Sequence, residues 1–173
     1  MKIVLLNAAT LPIYRDELTP LLFEADTSDS APEAEAFFHE LRAALSRNQR
    51  LLWIARDEHG VIGTVQLDLD AEKPSDQCGT VSTLVVDSTA RRRGVGKQLM
   101  RELENTAFTL RRGLLSLDIE AGTPAEAFYR AQGYRCSGKR TSNHQESYSS
   151  RQGEMVYYKR LIPSAPLPHE FAN

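Results

Sequence analysis

The chain has 173 residues, of which 41% are apolar and 25% are charged, and its formal net charge is −2 at pH 7. This composition is typical of one soluble domain with a single core, and it excludes a fibre, a disordered chain and a protein built to coat nucleic acid. Two distant cysteines and the lack of any apolar run long enough for a signal peptide or a membrane span predict a reduced, cytoplasmic protein.

The first part of the chain predicts one strand followed by two helices. Residues 2–6 read KIVLL, an apolar run that favours a strand. Residues 11–26 and 32–48 then carry apolar side chains at helical spacing, as at Phe37, Leu41 and Leu45. Two helices are therefore expected after the first strand.

The middle of the chain predicts three strands. Residues 51–55 and 61–69 are rich in β-favouring residues and flank a short polar connection that ends at Gly60, which is typical of a hairpin. Residues 80–86 form the third run of this kind. In the strand predicted over residues 61–69, period-2 alternation predicts that four side chains share one face, namely those of Val61, Val65, Leu67 and Leu69.

A helix is predicted over residues 95–110, with a buried stripe formed by Val95, Leu99, Leu103 and Ala107. The next strand is expected over residues 113–119. A strand, a helix and a strand in this order imply a parallel pair joined by a right-handed crossover.

Residues 123–133 read TPAEAFYRAQG and carry the signals of a short helix at both ends. Thr123 is the expected N-cap, Glu126 closes a capping box and Gly133 ends the helix. Two last strands are expected over residues 134–138 and 154–161. One domain over residues 1–162 follows, and residues 163–173 are expected to form an extended or disordered tail.

The turn that precedes the third helix reads RRRGVGK over residues 91–97. A helix N-terminus presents unpaired amides and a partial positive charge, so a glycine turn that enters one favours phosphate binding. A dinucleotide fingerprint requires a third glycine where Leu99 stands, and a nucleotide triphosphate loop requires Ser or Thr where Gln98 stands. The remaining pattern is R-x-x-G-x-G, formed by Arg91, Gly94 and Gly96, which favours phosphate binding. The alternative interpretation is a basic helix start that binds no ligand.

The order of strand, R-x-x-G-x-G turn and helix, together with the later segment TPAEAFYRAQGY, resembles the GNAT superfamily of N-acetyltransferases. The resemblance covers about residues 1–162 and is strongest over residues 79–134. It implies a mixed α/β fold with about six to seven strands, a central parallel pair and about four helices. Within the superfamily, LDIEAGTPAEAFYRAQGY and the LLFE helix are similar to the tabtoxin resistance acetyltransferases.

The resemblance implies that acetyl-CoA binds with its pyrophosphate on the glycine turn. It places the pantetheine arm between the strand that ends at Val86 and the strand that ends near Glu120, with Leu84, Val85 and Val86 contributing main-chain groups and the thioester oxygen near the amide of Val85. The residues expected to contact acetyl-CoA are Leu84, Val85, Val86, Arg91, Arg92, Arg93, Gly94, Val95, Gly96, Lys97, Thr123 and Ala125.

The resemblance also nominates catalytic residues. Tyr129 occupies the family position for protonating the departing thiolate, and its alternative role is to cap the core. Many family members carry a basic carboxylate on the strand before the turn, but residues 80–83 contain none. Asp118 and Glu120 share one strand face and are the alternatives, with Asp118 preferred because it lies deeper. Both also fit a plain role as hydrogen-bond acceptors at a strand end.

The sequence therefore predicts an N-acetyltransferase that moves acetyl from acetyl-CoA to a primary amine by direct attack in a ternary complex, without a metal. Residues 16–40 contain eight acidic groups and no Lys or Arg, whereas residues 91–112 contain seven basic and two acidic groups. This polarity favours a small cationic acceptor such as a toxin, drug, amino acid or polyamine. The alternative is a non-catalytic acyl-CoA-binding or sensing module. Nucleic-acid and membrane partners are not expected, and a homodimer is one option for assembly.

Overall fold

The computed structural model describes residues 1–23, 30–69, 77–139 and 154–163. These residues form seven strands and four α-helices. In chain order the elements are β1 (Lys2–Leu6), α1 (Leu11–Leu22), α2 (Ser30–Ser46), β2 (Arg50–Asp57), β3 (Gly60–Asp68), β4 (Cys78–Val86), α3 (Val95–Thr109), β5 (Leu114–Glu120), α4 (Pro124–Ala131), β6 (Arg135–Lys139) and β7 (Glu154–Arg160). A single 3-10 turn, Ser88–Ala90, joins β4 to the glycine turn before α3.

All seven strands belong to one sheet, in the order β1-β2-β3-β4-β5-β7-β6. Neighbouring strands are antiparallel except β4 and β5, which run parallel and are joined through α3. The fold is therefore the expected mixed α/β architecture with a central parallel pair. β4 and β5 can run parallel because the α3 crossover returns the chain to the same sheet in the same direction.

The sheet separates two apolar clusters. On one side, which we call the α3 side, Leu99 and Leu103 of α3 pack with Leu67 of β3 and Leu117 of β5. On the other side, the α1 side, residues of α1 and α2 cover β2; this cluster contains Leu11, Leu18, Phe38, Leu41, Leu45, Leu52 and Ile54. The predicted stripe of α3 is fully buried, as amphipathic spacing requires.

The face predicted for Val61 is wrong. Val61 packs against the α1-side cluster, whereas Val65, Leu67 and Leu69 belong to the α3-side cluster. The cause is one extra residue in β3, because the residues that pair with Arg56 and Ala55 are Val61 and Gly63, which leaves Ile62 without an opposite partner. Such a bulge reverses the alternation of side chains beyond it.

The residues predicted to begin and end α4 are confirmed. Thr123 is the N-cap, and its hydroxyl accepts a hydrogen bond from the Glu126 amide at 3.4 Å. The Glu126 carboxylate in turn accepts from the amide of Gly122, at 2.8 Å. Gly133 follows the helix with φ of +90°, which glycine adopts without strain. Residues 140–153, between the last two predicted strands, and the part of the predicted tail after residue 163 lie outside the described residues.

Candidate active site

β4 and β5 part from one another after their first three residues. They pair from Cys78 and Leu114 to Thr80 and Ser116, and no pair follows, although β4 continues to Val86 and β5 to Glu120. We call the gap between residues 81–86 and residues 117–120 the wedge. Its two edges carry backbone amides and carbonyls that do not bond each other across the gap, so an extended ligand has hydrogen-bonding groups on both sides.

β4 contains a bulge where it borders the wedge. Gln66 of β3 pairs with Ser82, but Thr64 pairs with Val85, so two residues of β4 stand opposite one residue of β3. Thr83, one of the two, has φ of +53°, a left-handed conformation that a β-branched residue rarely adopts. A strained bulge of this kind changes the direction of the chain near a functional site. No residue pattern within β4 predicts this bulge.

The glycine turn ends in a left-handed N-cap. Gly94 has φ of +76° and caps α3 without any side-chain hydrogen bond. The first bond of the helix runs from the Gln98 amide to the Gly94 carbonyl, at 3.0 Å, so the amides of residues 95–97 have no acceptor within the helix. A Cβ on Gly94 would meet no atom within 4 Å. The turn therefore leaves room for an anion to approach the backbone.

The arginines of the turn differ in their surroundings. Arg91 and Arg92 are exposed, as is Lys97. Arg93 instead pairs with Asp57 of the β2–β3 hairpin, with a closest N···O distance of 3.4 Å. The pKa of the Asp57 carboxyl is lowered, chiefly by a hydrogen bond from the amide of His59 and also by Arg93. Arg93 thus fixes the turn against the hairpin as well as adding positive charge.

The ring of Phe128, in the second half of α4, lies beside the start of α3. The ring of Phe128 comes within 3.3 Å of the position that a Cβ on Gly96 would occupy. Thr123 and Ala125, the other residues expected to contact acetyl-CoA, lie in the cap and first turn of the same helix, where Ala125 is exposed. The tertiary structure thus places the helix that carries Ala125 next to the helix that the glycine turn begins.

Tyr129 is largely enclosed on the α3 side of the sheet. It is 7% exposed and stands between the rings of Phe128 and Tyr134, with centroid distances of 5.2 Å and 5.4 Å and edge-to-face geometry. Burial raises the pKa of its phenol well above the ordinary value. The hydroxyl therefore stays protonated at working pH and is available as a hydrogen-bond donor.

Two bonds fix the helix that carries Tyr129 to the sheet. The hydroxyl of Tyr157, on β7, donates to the Glu126 carboxylate and accepts from Arg130 Nε at 3.0 Å. The pKa of Glu126 is lowered, first by the Tyr157 hydroxyl and then by the Gly122 amide. No local sequence signal links Tyr157 to Glu126, because the two residues are 31 positions apart.

Asp118 and Glu120 are exposed, whereas Leu115, Leu117 and Ile119 are buried in the α3-side cluster. The predicted alternation along β5 is therefore confirmed, and both carboxylates belong to the α1 side. Asp118 stands beside Val156 of β7 and borders the wedge.

The sheet surface around the wedge is polar on the α1 side. We call it the polar face, and its members are Thr64, Gln66, Asp68, Thr80, Ser82, Ser116, Asp118 and Tyr158. Asp68 accepts hydrogen bonds from Arg50 and, at 3.4 Å, from the Ser82 hydroxyl. A carboxylate thus lies next to β4 even though residues 80–83 lack one. The alternation of residues along β3 could have indicated Asp68, because it places Asp68 on the face opposite Leu67 and Leu69. It was used only to predict the buried apolar face of the strand.

No cluster of three or more potential metal ligands occurs among the residues that the structure describes. In the same ranges, every helix is too short or too polar to cross a bilayer.

A mixed sheet that parts between two parallel strands, beside a glycine turn at a helix start, defines a class of acetyltransferase domains. The Acetyltransferase (GNAT) family matches residues 12–134 of the chain. The protein belongs to this family.

Solved structures support the same fold. Aminoglycoside 6'-acetyltransferase type Ii aligns with 95% of this chain and 100% of its own, at 20% identity and a TM-score of 0.71. An aminoglycoside 6'-N-acetyltransferase complexed with coenzyme A aligns with 96% of this chain over 100% of its own length, at 18% identity and a TM-score of 0.69. Ribosomal-protein-alanine N-acetyltransferase from Brucella melitensis aligns with 93% of this chain over 100% of its own length, at 23% identity and a TM-score of 0.67. At these identities the likeness concerns the fold.

Proposed function

We propose that the protein transfers an acetyl group from acetyl-CoA to the primary amine of a small molecule, by direct attack within a ternary complex. One observation carries the proposal: β4 leaves β5 beyond Thr80 and Ser116, on the strand that leads into the glycine turn. An acyl-CoA needs both features at once, because its pyrophosphate requires an anion site and its arm requires a path through the sheet.

The pyrophosphate is proposed to bind the amides of residues 95–97, with charge from Arg91, Arg92 and Lys97. The left-handed Gly94, whose Cβ position is empty, allows phosphate oxygens to approach the backbone. Arg93 adds positive charge near the pyrophosphate but is not proposed to contact it, because its guanidinium already contacts Asp57. Thr123 and Ala125, at the start of α4, are proposed to contact acetyl-CoA as well.

The pantetheine arm is proposed to lie in the wedge and to bond the main chain of Leu84, Val85 and Val86. The side chains of Leu84 and Val86 pack against the α3-side cluster, which leaves their backbone as the contacting part. The bulge at Thr83 supports an amide near Val85 as the donor to the thioester oxygen.

The proposed reaction begins with a neutral amine whose lone pair attacks the thioester carbonyl carbon. The C–N bond forms, the C–S bond breaks and the electron pair leaves on sulfur, where the protonated phenol of Tyr129 stabilises the thiolate and supplies a proton. The proton from nitrogen passes to Asp118, or to Glu120, directly or through water. Tyr129 is protonated and can donate a proton to sulfur, whereas Asp118 is exposed and can accept one from nitrogen.

The acceptor is proposed to be a small cationic amine. Part of the acidic segment over residues 16–40 is already engaged, because Glu17 accepts from the Val61 amide at 2.7 Å and Glu35 pairs with Arg15. Exposed acids such as Glu33 and Glu40 remain to attract a cation. The likeness to tabtoxin resistance enzymes and the aminoglycoside enzymes among the solved structures make toxins and aminoglycosides sensible acceptors to try.

We further propose one cytoplasmic domain over residues 1–162 that requires no metal, binds neither nucleic acid nor membranes, and forms a monomer or a homodimer. The rival function is a non-catalytic acyl-CoA-binding module, which the lack of a carboxylate at residues 80–83 favours. Asp118 and Asp68 on the polar face weigh against it, since each places a carboxylate near the wedge.

A screen of primary amines with detection of free CoA distinguishes the two functions. Aminoglycosides, polyamines, amino acids and lysine-containing peptides are incubated with acetyl-CoA, with the Tyr129→Phe variant as the control. An enzyme releases CoA in proportion to acetylated product and loses that activity in the variant. Tight binding of acetyl-CoA without transfer to any amine would instead support the binding module.

A further inference from the structure

Gln66, in the middle of β3, places a primary amide in the interior of the protein. Only 1% of the residue is exposed. No described residue accepts a hydrogen bond from its Nε2 atom, which is shielded from solvent. Its neighbours on the polar face differ, because Thr64 donates to the Trp53 carbonyl at 2.9 Å and Asp68 accepts from Ser82. A buried donor without a partner costs free energy, so its retention requires an explanation.

The amide lies beside the wedge. Gln66 pairs with Ser82 of β4, two residues beyond Thr80, where β4 last pairs with β5. Neighbouring strands lie about 5 Å apart, so Gln66 is one strand spacing from the edge of the wedge. It also lies on the α1 side with Asp118, the side on which the proposed reaction accepts a proton from the amine. The unpartnered donor therefore lies one strand spacing from the edge of the wedge, on the side where the acceptor is proposed to bind.

The chemistry of the amide restricts what can satisfy it. Nε2 carries two donor hydrogens, so its missing partner is a group with an available lone pair. A protonated amine has only donors and is excluded as the partner. A hydroxyl or carbonyl oxygen fits. The pantetheine arm is proposed to bond the main chain of β4, so on the α1 side the acceptor is the proposed source of this oxygen.

We propose that Gln66 is a specificity-determining residue that binds an oxygen of the acceptor, and that the acceptors are amines with a hydroxyl or carbonyl oxygen near the reacting nitrogen. This inference rests on the proposed acetyl transfer and names the substrate class of that site. An amine without the oxygen leaves Nε2 unsatisfied inside the protein. Sites built to hydrogen-bond a substrate oxygen discriminate strongly against analogues that lack it.

The first test measures thermal unfolding without any substrate. Gln66→Met keeps the length of the side chain and removes the amide, and Thr64→Val removes a neighbouring hydroxyl that has a partner. We expect Gln66→Met to melt no lower than the wild type and Thr64→Val to melt lower. If Gln66→Met loses as much stability as Thr64→Val, the amide already has a partner in the fold, such as an enclosed water, and the proposal is overturned.

The second test compares matched acceptors, namely ethanolamine with ethylamine and 3-amino-1-propanol with propylamine. We expect the wild type to favour each hydroxylated amine by at least about tenfold in kcat/KM, Gln66→Met to lose this preference and Thr64→Val to keep it. Equal values in the wild type, or a preference that survives in Gln66→Met, overturn the proposal. A wild type that acetylates no amine contradicts the proposed function instead, and the melting comparison still decides whether Gln66 lacks a partner.

Discussion

The hydroxyl of Tyr157 donates a hydrogen bond to the carboxylate of Glu126, and this bond attaches α4 to β7. Glu126 also accepts from the Gly122 amide, so one side chain closes the helix cap and anchors the helix to the sheet. Tyr129 lies on the same short helix, which spans eight residues. The position of the proposed proton donor therefore depends on a contact between distant parts of the chain.

Replacing Tyr157 by Phe removes this bond and keeps the ring. We expect a lower midpoint of thermal or urea unfolding, because the Glu126 carboxylate loses a donor. The lowered pKa of Glu126 stabilises the fold fully above its unfolded value of about 4.3, and this contribution is lost as pH falls through the lower folded value. The difference between wild type and Tyr157→Phe should shrink below about pH 4. An equal difference at pH 3 and pH 7 would contradict the assignment.

Replacing Gly94 by Ala should weaken acetyl-CoA binding. The residue has φ of +76° and an empty Cβ position, so the new methyl group costs about 1–2 kcal/mol of backbone strain and occupies the approach to the amides of α3. Gly138→Ala on the edge strand β6 is the matched control, since it also has positive φ and no atom within 4 Å of its Cβ position. Calorimetric titration should show lost affinity only for Gly94→Ala. Equal affinity in both folded variants argues against the pyrophosphate site.

Tyr129→Phe should lower kcat by about 10²–10⁴-fold and change acetyl-CoA affinity little, because the variant keeps the ring and deletes the proton donor. Tyr134→Phe is the control, since it removes a neighbouring buried hydroxyl that bonds Glu104 at 3.2 Å. Steady-state kinetics with the best acceptor and a binding titration measure both quantities. If Tyr129→Phe retains the wild-type kcat when chemistry limits turnover, Tyr129 only caps the core.

Asp118→Asn should flatten the acidic limb of the pH–rate profile if Asp118 accepts the amine proton. Asparagine has nearly the same shape but does not titrate in this range, so the loss is one of basicity. Glu120→Gln provides the comparison from the same face of β5. A limb that is intact in Asp118→Asn and lost in Glu120→Gln would move the role to Glu120, and a limb intact in both would exclude both carboxylates.

The order of elements, including the two segments proposed to bind acetyl-CoA, could be read from the sequence because their signals are local. Alternation in β5, the stripe of α3 and the capping residues of α4 each depend on neighbours within a few positions, and the structure confirms them. Glycine at position 94 likewise marked a turn that requires positive φ. The resemblance of these segments to the GNAT superfamily is confirmed by the family match over residues 12–134.

The geometry of the site depended on the tertiary structure. The bulges at Ile62 and Thr83 exist only relative to a partner strand, so no residue pattern within β3 or β4 reveals them, and one of them reversed the face predicted for Val61. The same holds for the wedge, where two strands that begin as a pair stop pairing at Thr80. Gln66 resembles an ordinary polar residue in an alternating strand, and only packing on both sides of the sheet makes it a buried amide without a partner. A sequence determines what each residue is able to form, whereas burial and pairing are decided by residues far away in the chain.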